Sequence, residues 1–113
     1  MHELSIAQSM VELVEEAARG RRVRRIALEI GVLSGVMSEA IAFCFDIVAE
    51  GTPAEGAVLD INEIPAVARC DTCGTEFECP SELAACGCGS YRLTYLRGRE
   101  IKVKSIELDV EAV

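Results

Sequence analysis

Four of the six cysteines form two close pairs, and these pairs are the clearest sign of chemistry in the chain. Two residues separate Cys70 from Cys73, one separates Cys86 from Cys88, and twelve lie between the pairs. Two short thiolate pairs around a hairpin-length loop are typical of a tetrahedral zinc site, because each pair supplies two ligands from one turn. We therefore expect a structural Zn(II) ion bound by these four residues. Cys79, in the intervening loop, remains an alternative for the fourth ligand.

The same cysteines also fit a redox or disulfide pair. A redox Cys-x-x-Cys motif lies at the start of a helix, whereas Gly74, Thr75 and Phe77 after Cys73 indicate a hairpin. An acidic chain without a signal sequence is expected in a reducing compartment, where close cysteine pairs are more often metal-binding or catalytic than structural disulfides. The spacing therefore favours zinc.

The stretch around the cysteines, residues 69–98, is too short to fold on a hydrophobic core of its own. A bound metal would supply much of its folding free energy. Gly74 and Gly89 each follow a cysteine, where the chain must turn sharply and direct backbone N–H groups toward sulfur. The sequence therefore predicts a small module stabilised by its metal.

His2 is the only histidine, and its place beside the N-terminus gives it a second metal chemistry. The α-amine of Met1, the amide nitrogen of His2 and its imidazole can close two fused chelate rings with three nitrogens in one plane. Such nitrogen ligation suits Ni(II) or Cu(II) rather than a structural zinc. The carboxylate or backbone amide of Glu3 would complete the set. A lone terminal histidine usually has no role, so this expectation depends on its position.

The length and charge of the chain restrict the classes of function that it can have. With 113 residues, the chain is long enough for one small domain and a satellite. The net charge of −8 argues against a general nucleic-acid binder, which needs a basic surface. The start lacks the basic and apolar segments of a signal peptide, and no apolar stretch approaches the length of a membrane span. We expect a cytoplasmic protein.

Apolar residues at steps of three and four predict two helices. The first covers Glu3–Arg19 and ends at Gly20, a candidate for the C-cap. The second covers Ser38 to about Glu50, with Ser38 as its N-cap. Cys44 lies in the apolar stripe of this helix and is expected to be a small core side chain rather than a ligand. Between the helices, five arginines form a run that either docks an acidic partner or, as the sequence favours, is a solvated turn.

Alternation of apolar and polar residues predicts three strands, at residues 23–30, 58–67 and 100–110. Pro65 requires a bend or an edge position in the second strand. The alternation of the last strand slips from odd to even positions, which predicts a β-bulge near Lys104-Ser105.

These elements predict an α+β fold. We expect two helices packed on a three-stranded antiparallel sheet, with a small zinc-ribbon-like module inserted between the last two strands. Residues 1–68 plus 99–113 would form a nickel-binding α/β domain, and residues 69–98 a zinc-binding domain.

Several stretches, in order and nearly end to end, carry a recognisable family pattern. They are M-H-E-L at the start, G-V-L-S-G-V (31–36), A-F-C-F-D-I-V-A-E-G-T (42–52), the Cys70/Cys73 pair, C-G-S (88–90) and G-R-E-I-K-V-K-S-I-E-L (98–108). They resemble the HypA/HybF family of nickel-insertion proteins for nickel–iron hydrogenase maturation. The resemblance implies that His2 and neighbouring N-terminal atoms bind nickel as transient cargo, and that the cysteine pairs bind structural zinc.

The resemblance also implies partners. Members of this family deliver nickel together with a GTPase of the same pathway, to the hydrogenase large subunit and in some organisms to urease. They are not enzymes. Which client this chain serves, and whether it is a monomer or a weak homodimer, stays open at this level.

The second cysteine pair departs from the family pattern. Members usually carry C-P-x-C-G-S, whereas this chain reads C-G-C-G-S from Cys86 to Ser90 and lacks the proline and one residue. The choice between Cys86 and Cys79 as the fourth zinc ligand therefore stays open. Glu39, near the head of the second helix, is a further candidate for the nickel site.

Two rival classes remain beside the metal carrier. A zinc-ribbon module that binds protein or nucleic acid would explain the cysteines and make His2 accidental. A thiol oxidoreductase would use Cys70 and Cys73. The sequence contains no acid–base pair, nucleophile triad or phosphate-binding glycine loop that would make a positive case for an enzyme.

Overall fold

A computed structural model describes residues 3–80 and 85–109. These residues form two helices and six strands. In chain order the elements are α1 (Glu3–Ala18), β1 (Val23–Gly31), α2 (Ser38–Val48), β2 (Val58–Ile64), β3 (Ala66–Cys70), β4 (Glu76–Cys79), β5 (Leu93–Arg97) and β6 (Ile101–Leu108). The fold class is α+β, as the sequence predicts. No helix in these ranges is long and apolar enough to cross a membrane.

Helix α1 forms where apolar residues recur at steps of three and four. Its buried side chains lie on one stripe and pack in the core shared by both helices and the main sheet; they are Ala7, Met10, Val11, Val14 and Ala18. The helix ends one residue before the predicted Arg19. Arg19 and Gly20 both have positive φ, at 52° and 82°, so the glycine takes the left-handed position expected just past the helix.

Helix α2 begins differently from the prediction. Met37 is the N-cap residue and makes no side-chain cap, while Ser38 is the first helical residue. The Ser38 hydroxyl donates instead to Oε1 of Glu63, 3.1 Å away. The predicted serine cap is therefore wrong. Ile41 and Phe45 are buried on the inner face, and Cys44 beside them is half-buried.

The main sheet has the order β2-β1-β6. Strand β1 pairs antiparallel with β6 but parallel with β2, so the predicted all-antiparallel sheet is wrong for one pair. The reason is the connection: α2 lies between β1 and β2 and returns the chain to the starting edge, as a crossover helix does. The predicted bulge is present. Ala27 faces Ser105 and Leu28 faces Val103, which leaves Lys104 as the extra residue.

The second predicted strand is divided at Pro65. Residues before the proline form β2 of the main sheet, and those after it form β3 of a second sheet with the order β4-β3-β5. Proline has no N–H to donate and so ends the first ladder. The second sheet is antiparallel throughout and is inserted between β2 and β6, the last two strands of the main sheet.

The two sheets meet at a tight crossing of backbone. The N–H of Leu33 donates to the carbonyl of Gly98 at 2.7 Å, and the N–H of Gly31 to that of Glu100 at 2.8 Å. An added Cβ on Gly31 would lie 2.1 Å from the oxygen of Gly98, so only glycine fits there. Val32 and Leu33 pack against the small core of the second sheet.

The arginine run is engaged within the chain. Arg24 pairs with Glu107 at 2.9 Å, Arg25 pairs with Asp60, and Arg22 donates to the carbonyl of Glu55 at 2.8 Å. Exposed pairs of this kind add little stability. They do occupy the guanidinium groups, which supports a solvated turn over a docking patch.

Candidate metal centre

The structure brings together the sulfur atoms of Cys70, Cys73, Cys86 and Cys88. Cys70 ends β3, Cys73 lies in the following turn, and the other two lie in the turn that precedes β5. All four Sγ atoms lie within 4.8 Å of one another, with 3.7 Å between Cys70 and Cys88 and 3.5 Å between Cys73 and Cys86. A tetrahedral zinc ion with Zn–S bonds of about 2.3 Å requires sulfur–sulfur distances of roughly 3.8 Å. The arrangement therefore fits such an ion.

The first cysteine turn is closed by backbone hydrogen bonds. The N–H of Cys70 donates to the carbonyl of Thr75, and the N–H of Gly74 donates back to that of Cys70, both at 2.8 Å. The N–H of Cys73 points at the Cys70 sulfur, 3.4 Å away. Gly74 has φ 80°, so the left-handed position is filled by the residue that tolerates it best.

The second turn repeats this pattern with one residue fewer. The N–H of Cys86 donates to the carbonyl of Ser90 at 2.9 Å, and the N–H of Gly89 donates to that of Cys86 at 2.8 Å. Gly89 has φ 93° and takes the place that Gly74 has in the first turn. The missing residue is thus absorbed by a tighter turn, and Cys86 still reaches the cluster.

Hydroxyl groups tie the two turns together. The Thr72 and Ser90 hydroxyls lie 2.9 Å apart, and the Thr94 hydroxyl donates to the Asp71 carboxylate at 2.7 Å. The N–H of Asp71 donates to the carbonyl of Arg92 at 2.8 Å. Sequence reasoning missed these residues. The only sequence signal is the density of small hydroxyl side chains beside the cysteines.

The thiols of the cluster differ in acidity. The backbone N–H of Cys73 is the main cause that lowers the pKa of Cys70 to about 6. The hydroxyl of Thr75 lowers the pKa of Cys73. The N–H of Cys88 lowers the pKa of Cys86, but the Cys73 sulfur, burial and the remaining sulfurs together outweigh it and raise this pKa to about 12. Cys70 is therefore ready to bind a metal near neutral pH, whereas Cys86 must first lose a proton.

Cys79 lies apart from this cluster. It ends β4, is 1% exposed and packs with Ala66 and Ala68 in the core of the second sheet. Between the two residues left as alternatives for the fourth position, the structure gathers Cys86 and leaves Cys79 in the core. Within residues 3–80 and 85–109, no other group of three or more histidine, cysteine, aspartate or glutamate side chains could hold a metal.

The expected nickel ligands fall at the edge of the described chain. Met1 and His2 lie outside the described residues. Glu3 is the first residue of α1 and is partly exposed, and Glu39 is exposed in the first turn of α2. Neither glutamate belongs to the cysteine cluster.

Fold and site together define a small α+β protein with a four-cysteine module that could hold a metal ion, inserted into its main sheet. The family model described as "Hydrogenase/urease nickel incorporation, metallochaperone, hypA" matches residues 1–108, and the chain belongs to this HypA family. The resemblance found in the sequence is thereby confirmed.

Relatives and solved structures agree with this assignment. The hydrogenase maturation factor HypA of Nostoc sp. is 50% identical over 109 residues, which cover 96% of each chain. That of Geobacter sulfurreducens is 44% identical over 110 residues, covering 96% of this chain and 100% of its own. The solution structure of the Ni metallochaperone HypA from Helicobacter pylori matches 98% of this chain and 100% of that chain, with a TM-score of 0.70 and 26% identity.

Proposed function

We propose that this chain is a nickel metallochaperone. It binds Ni(II) at its N-terminus and, with a partner GTPase, delivers the ion to the large subunit of nickel–iron hydrogenase during maturation, with urease as a second client. The observation that carries the proposal is the match to a nickel-incorporation family from residue 1, which includes His2. In this proposal the chain carries a metal and catalyses no reaction.

The nickel ligands in this proposal are the α-amine of Met1 and the amide and imidazole nitrogens of His2. Glu3 adds a carboxylate or its backbone nitrogen. Because α1 begins at Glu3, this N–H is one of the first four of the helix, which have no acceptor within the helix. Glu39 is an alternative side-chain ligand. A planar nitrogen set with an open position suits Ni(II) and lets a partner take the ion over.

The cysteine cluster is proposed to hold a structural Zn(II) ion. Support comes from the sulfur–sulfur distances, from the N–H groups of Cys73 and Cys88 that point at the sulfurs of Cys70 and Cys86, and from the small core of the second sheet. Bound zinc would supply the folding free energy that this core lacks. The proposed zinc-binding domain is residues 69–98, and the proposed nickel-binding domain is residues 1–68 plus 99–113. Four reduced thiolates suit the cytoplasm, where we place the protein. We propose that it is a monomer or a weak homodimer.

Zinc and nickel sites are proposed to communicate through the crossing of the two sheets. Val32 and Leu33 rest on the core of the second sheet, and Gly98 is bonded to Leu33. Three residues after Gly98, Ile101 lines the same groove as Ile6 of α1. A change in the zinc module therefore has a short path to the first turns of α1, next to the proposed nickel ligands.

An experiment in cells tests the carrier role. The gene is replaced by a His2→Ala variant, and hydrogenase activity is measured at low and at high nickel in the medium. We expect activity to be lost at low nickel and largely restored at high nickel, since excess metal bypasses a carrier. The matched control is Gln8→Ala, at an exposed position of α1, which should keep full activity at both concentrations. Normal activity of His2→Ala at low nickel would refute the proposal.

A further inference from the structure

The two helices leave part of the three-stranded sheet uncovered. Between α1 and β6 runs an open groove of about 490 Å³, lined mainly by apolar side chains that include Met10, Leu13, Ile101 and Val103. Leu13, at the centre of α1, is 53% exposed over this groove. The inner face of β6 is thus only partly buried, and the groove has room for further apolar side chains.

Strand β6 also offers an open backbone edge beside this groove. It pairs with β1 on one side, and no strand in the described part of the chain pairs with its other side. An edge strand presents a row of N–H and C=O groups that readily accept another strand. The groove and the open edge of β6 together form one continuous surface. Apolar side chains line the groove, and backbone N–H and C=O groups run along the edge.

The charges on this edge are unusual for the chain. Its only two lysines, Lys102 and Lys104, both lie on β6, although the whole chain carries −8. They are 67% and 63% exposed and share one carboxylate, that of Glu29, at 3.7 and 3.9 Å. Glu29 lies opposite Lys102 in the ladder, whereas Ile101 and Val103 face Ile30 and Leu28 of the core. Apolar and basic side chains therefore occupy opposite faces of the edge.

We propose that the β6 edge and the α1–β6 groove are a docking site for an extended segment of a partner protein. The segment adds a fourth strand to the main sheet. Its apolar side chains fill the groove against Leu13, and its alternate side chains are acidic and lie beside Lys102 and Lys104. Strand addition of this kind takes affinity from main-chain hydrogen bonds and specificity from alternate side chains.

A second copy of this chain fits the same edge less well. Two β6 strands paired antiparallel with Val103 at the centre would bring Lys102 of each copy opposite Lys104 of the other, and like charges directly opposite each other are destabilising. Lysines and bulges on an edge strand are devices that reject unspecific pairing. Here two lysines share the single carboxylate of Glu29, so one positive charge remains for an acidic segment to neutralise.

The location of this docking site would bring a partner near the nickel ion, an inference that rests on the proposed function. Ser5 and Ile6, in the first turns of α1, line the groove. A partner segment seated there contacts the first turns of α1, which follow the proposed nickel ligands directly in sequence. Docking itself does not depend on nickel, so the two proposals are tested separately.

The test uses the zinc-loaded full chain and a fluorescent synthetic peptide, Glu-Val-Glu-Ile-Glu-Val-Glu, with a second peptide in which lysine replaces each glutamate. We expect the acidic peptide to bind at least about fivefold more tightly, and the K102E/K104E double variant to reverse this order. Leu13→Asp should weaken the acidic peptide at least about fivefold as well. The matched control is Ile47→Asp, because Ile47 is 50% exposed on α2 away from the groove. It should leave the affinity unchanged.

Hydrogen exchange identifies the form of the bound segment. An added strand should slow exchange of amides along β6, whereas a helix lying in the groove would cover Leu13 without protecting the open edge. Binding by the His2→Ala variant should be unchanged, which separates docking from nickel binding. The proposal fails if neither peptide binds, if affinity ignores the charge of Lys102 and Lys104, if β6 amides stay unprotected, or if light scattering shows a wild-type dimer that the double variant breaks.

Discussion

Neighbouring groups set the acidity of individual thiols in the cysteine cluster. Cys70 has a pKa lowered to about 6 by the N–H of Cys73, whereas Cys86 has a pKa raised to about 12. Thiolates bind zinc, so each thiol that still carries its proton must release it on binding. If the cluster binds zinc as proposed, we expect its affinity to depend on pH through Cys70 near pH 6, and we expect Cys86 to release a proton on binding throughout the neutral range.

Calorimetric zinc titrations in buffers of different ionisation enthalpy measure this proton release. Near pH 7.5 Cys70 is already a thiolate, so it should release almost no proton when zinc binds. About one pH unit below its pKa, Cys70 should release roughly one further proton. Zinc affinity should accordingly fall more steeply below pH 6 than above it. Cys86→Ser removes the proton that Cys86 releases. Proton release that is the same at both pH values would contradict the acidity assigned to Cys70.

Most of the cysteine cluster could be predicted from the sequence, but not the contacts that support it. The spacing predicts two close pairs, because a pair within a tight turn is local geometry, but it leaves Cys86 and Cys79 as alternatives, and the structure gathers Cys86. The contact between Thr72 and Ser90 is not local, because it joins turns that lie far apart in the chain. The tightening of the second turn was likewise visible only in the hydrogen bonds of Cys86 and Gly89.

Among the elements, the crossing of the two sheets depends on one glycine. A Gly31→Ala variant places a methyl group 2.1 Å from the carbonyl oxygen of Gly98, and neither backbone can move freely. We expect a loss of about 2–3 kcal/mol in the free energy of unfolding, as for overpacked sites. Gly87→Ala is the matched control, since nothing lies within 4 Å of its added carbon.

Urea denaturation of the zinc-loaded variants measures this difference. Equal stability of Gly31→Ala and the wild type would show that the crossing is looser than the structure has it. If Gly87→Ala lost as much unfolding free energy as Gly31→Ala, the destabilisation would not come from the crossing of the two sheets.

Element prediction succeeded where the signal was local and failed where topology decided. The slip in apolar alternation located the bulge at Lys104, and periodicity located both helices. The sequence predicts a bend or an edge position at Pro65 within one strand, whereas in the structure the chain passes into a second sheet at this residue. The parallel pairing of β1 with β2 was missed because strand direction follows from the path of α2, which residue patterns do not encode.

The whole molecule joins a four-cysteine module to a main sheet and to helix α1, which begins directly after the proposed nickel ligands in sequence. If the modules communicate through Val32, Leu33 and Gly98, removing zinc should weaken nickel binding as well as unfold the second sheet. Nickel titration of protein stripped of zinc with a chelator tests this, with an expected loss of at least about fivefold in affinity, a coupling of ordinary size.

Leu33→Ala separates the coupling from the zinc ion itself. This variant should keep its zinc, since Leu33 is not among the sulfur ligands, but should lose part of the contact between the sheets. We expect its nickel affinity to lie between those of zinc-loaded and zinc-free protein. Unchanged nickel affinity after zinc removal would show that the two metals bind independently.

The central claim is that the N-terminus carries nickel, and a calorimetric nickel titration tests it most directly. The protein is zinc-loaded with a native, untagged start, and it is compared with His2→Ala and with the control Gln8→Ala. We predict that the wild type and Gln8→Ala bind one equivalent of nickel and that His2→Ala does not bind it. Equal binding by all three proteins would place the nickel site elsewhere and contradict the account.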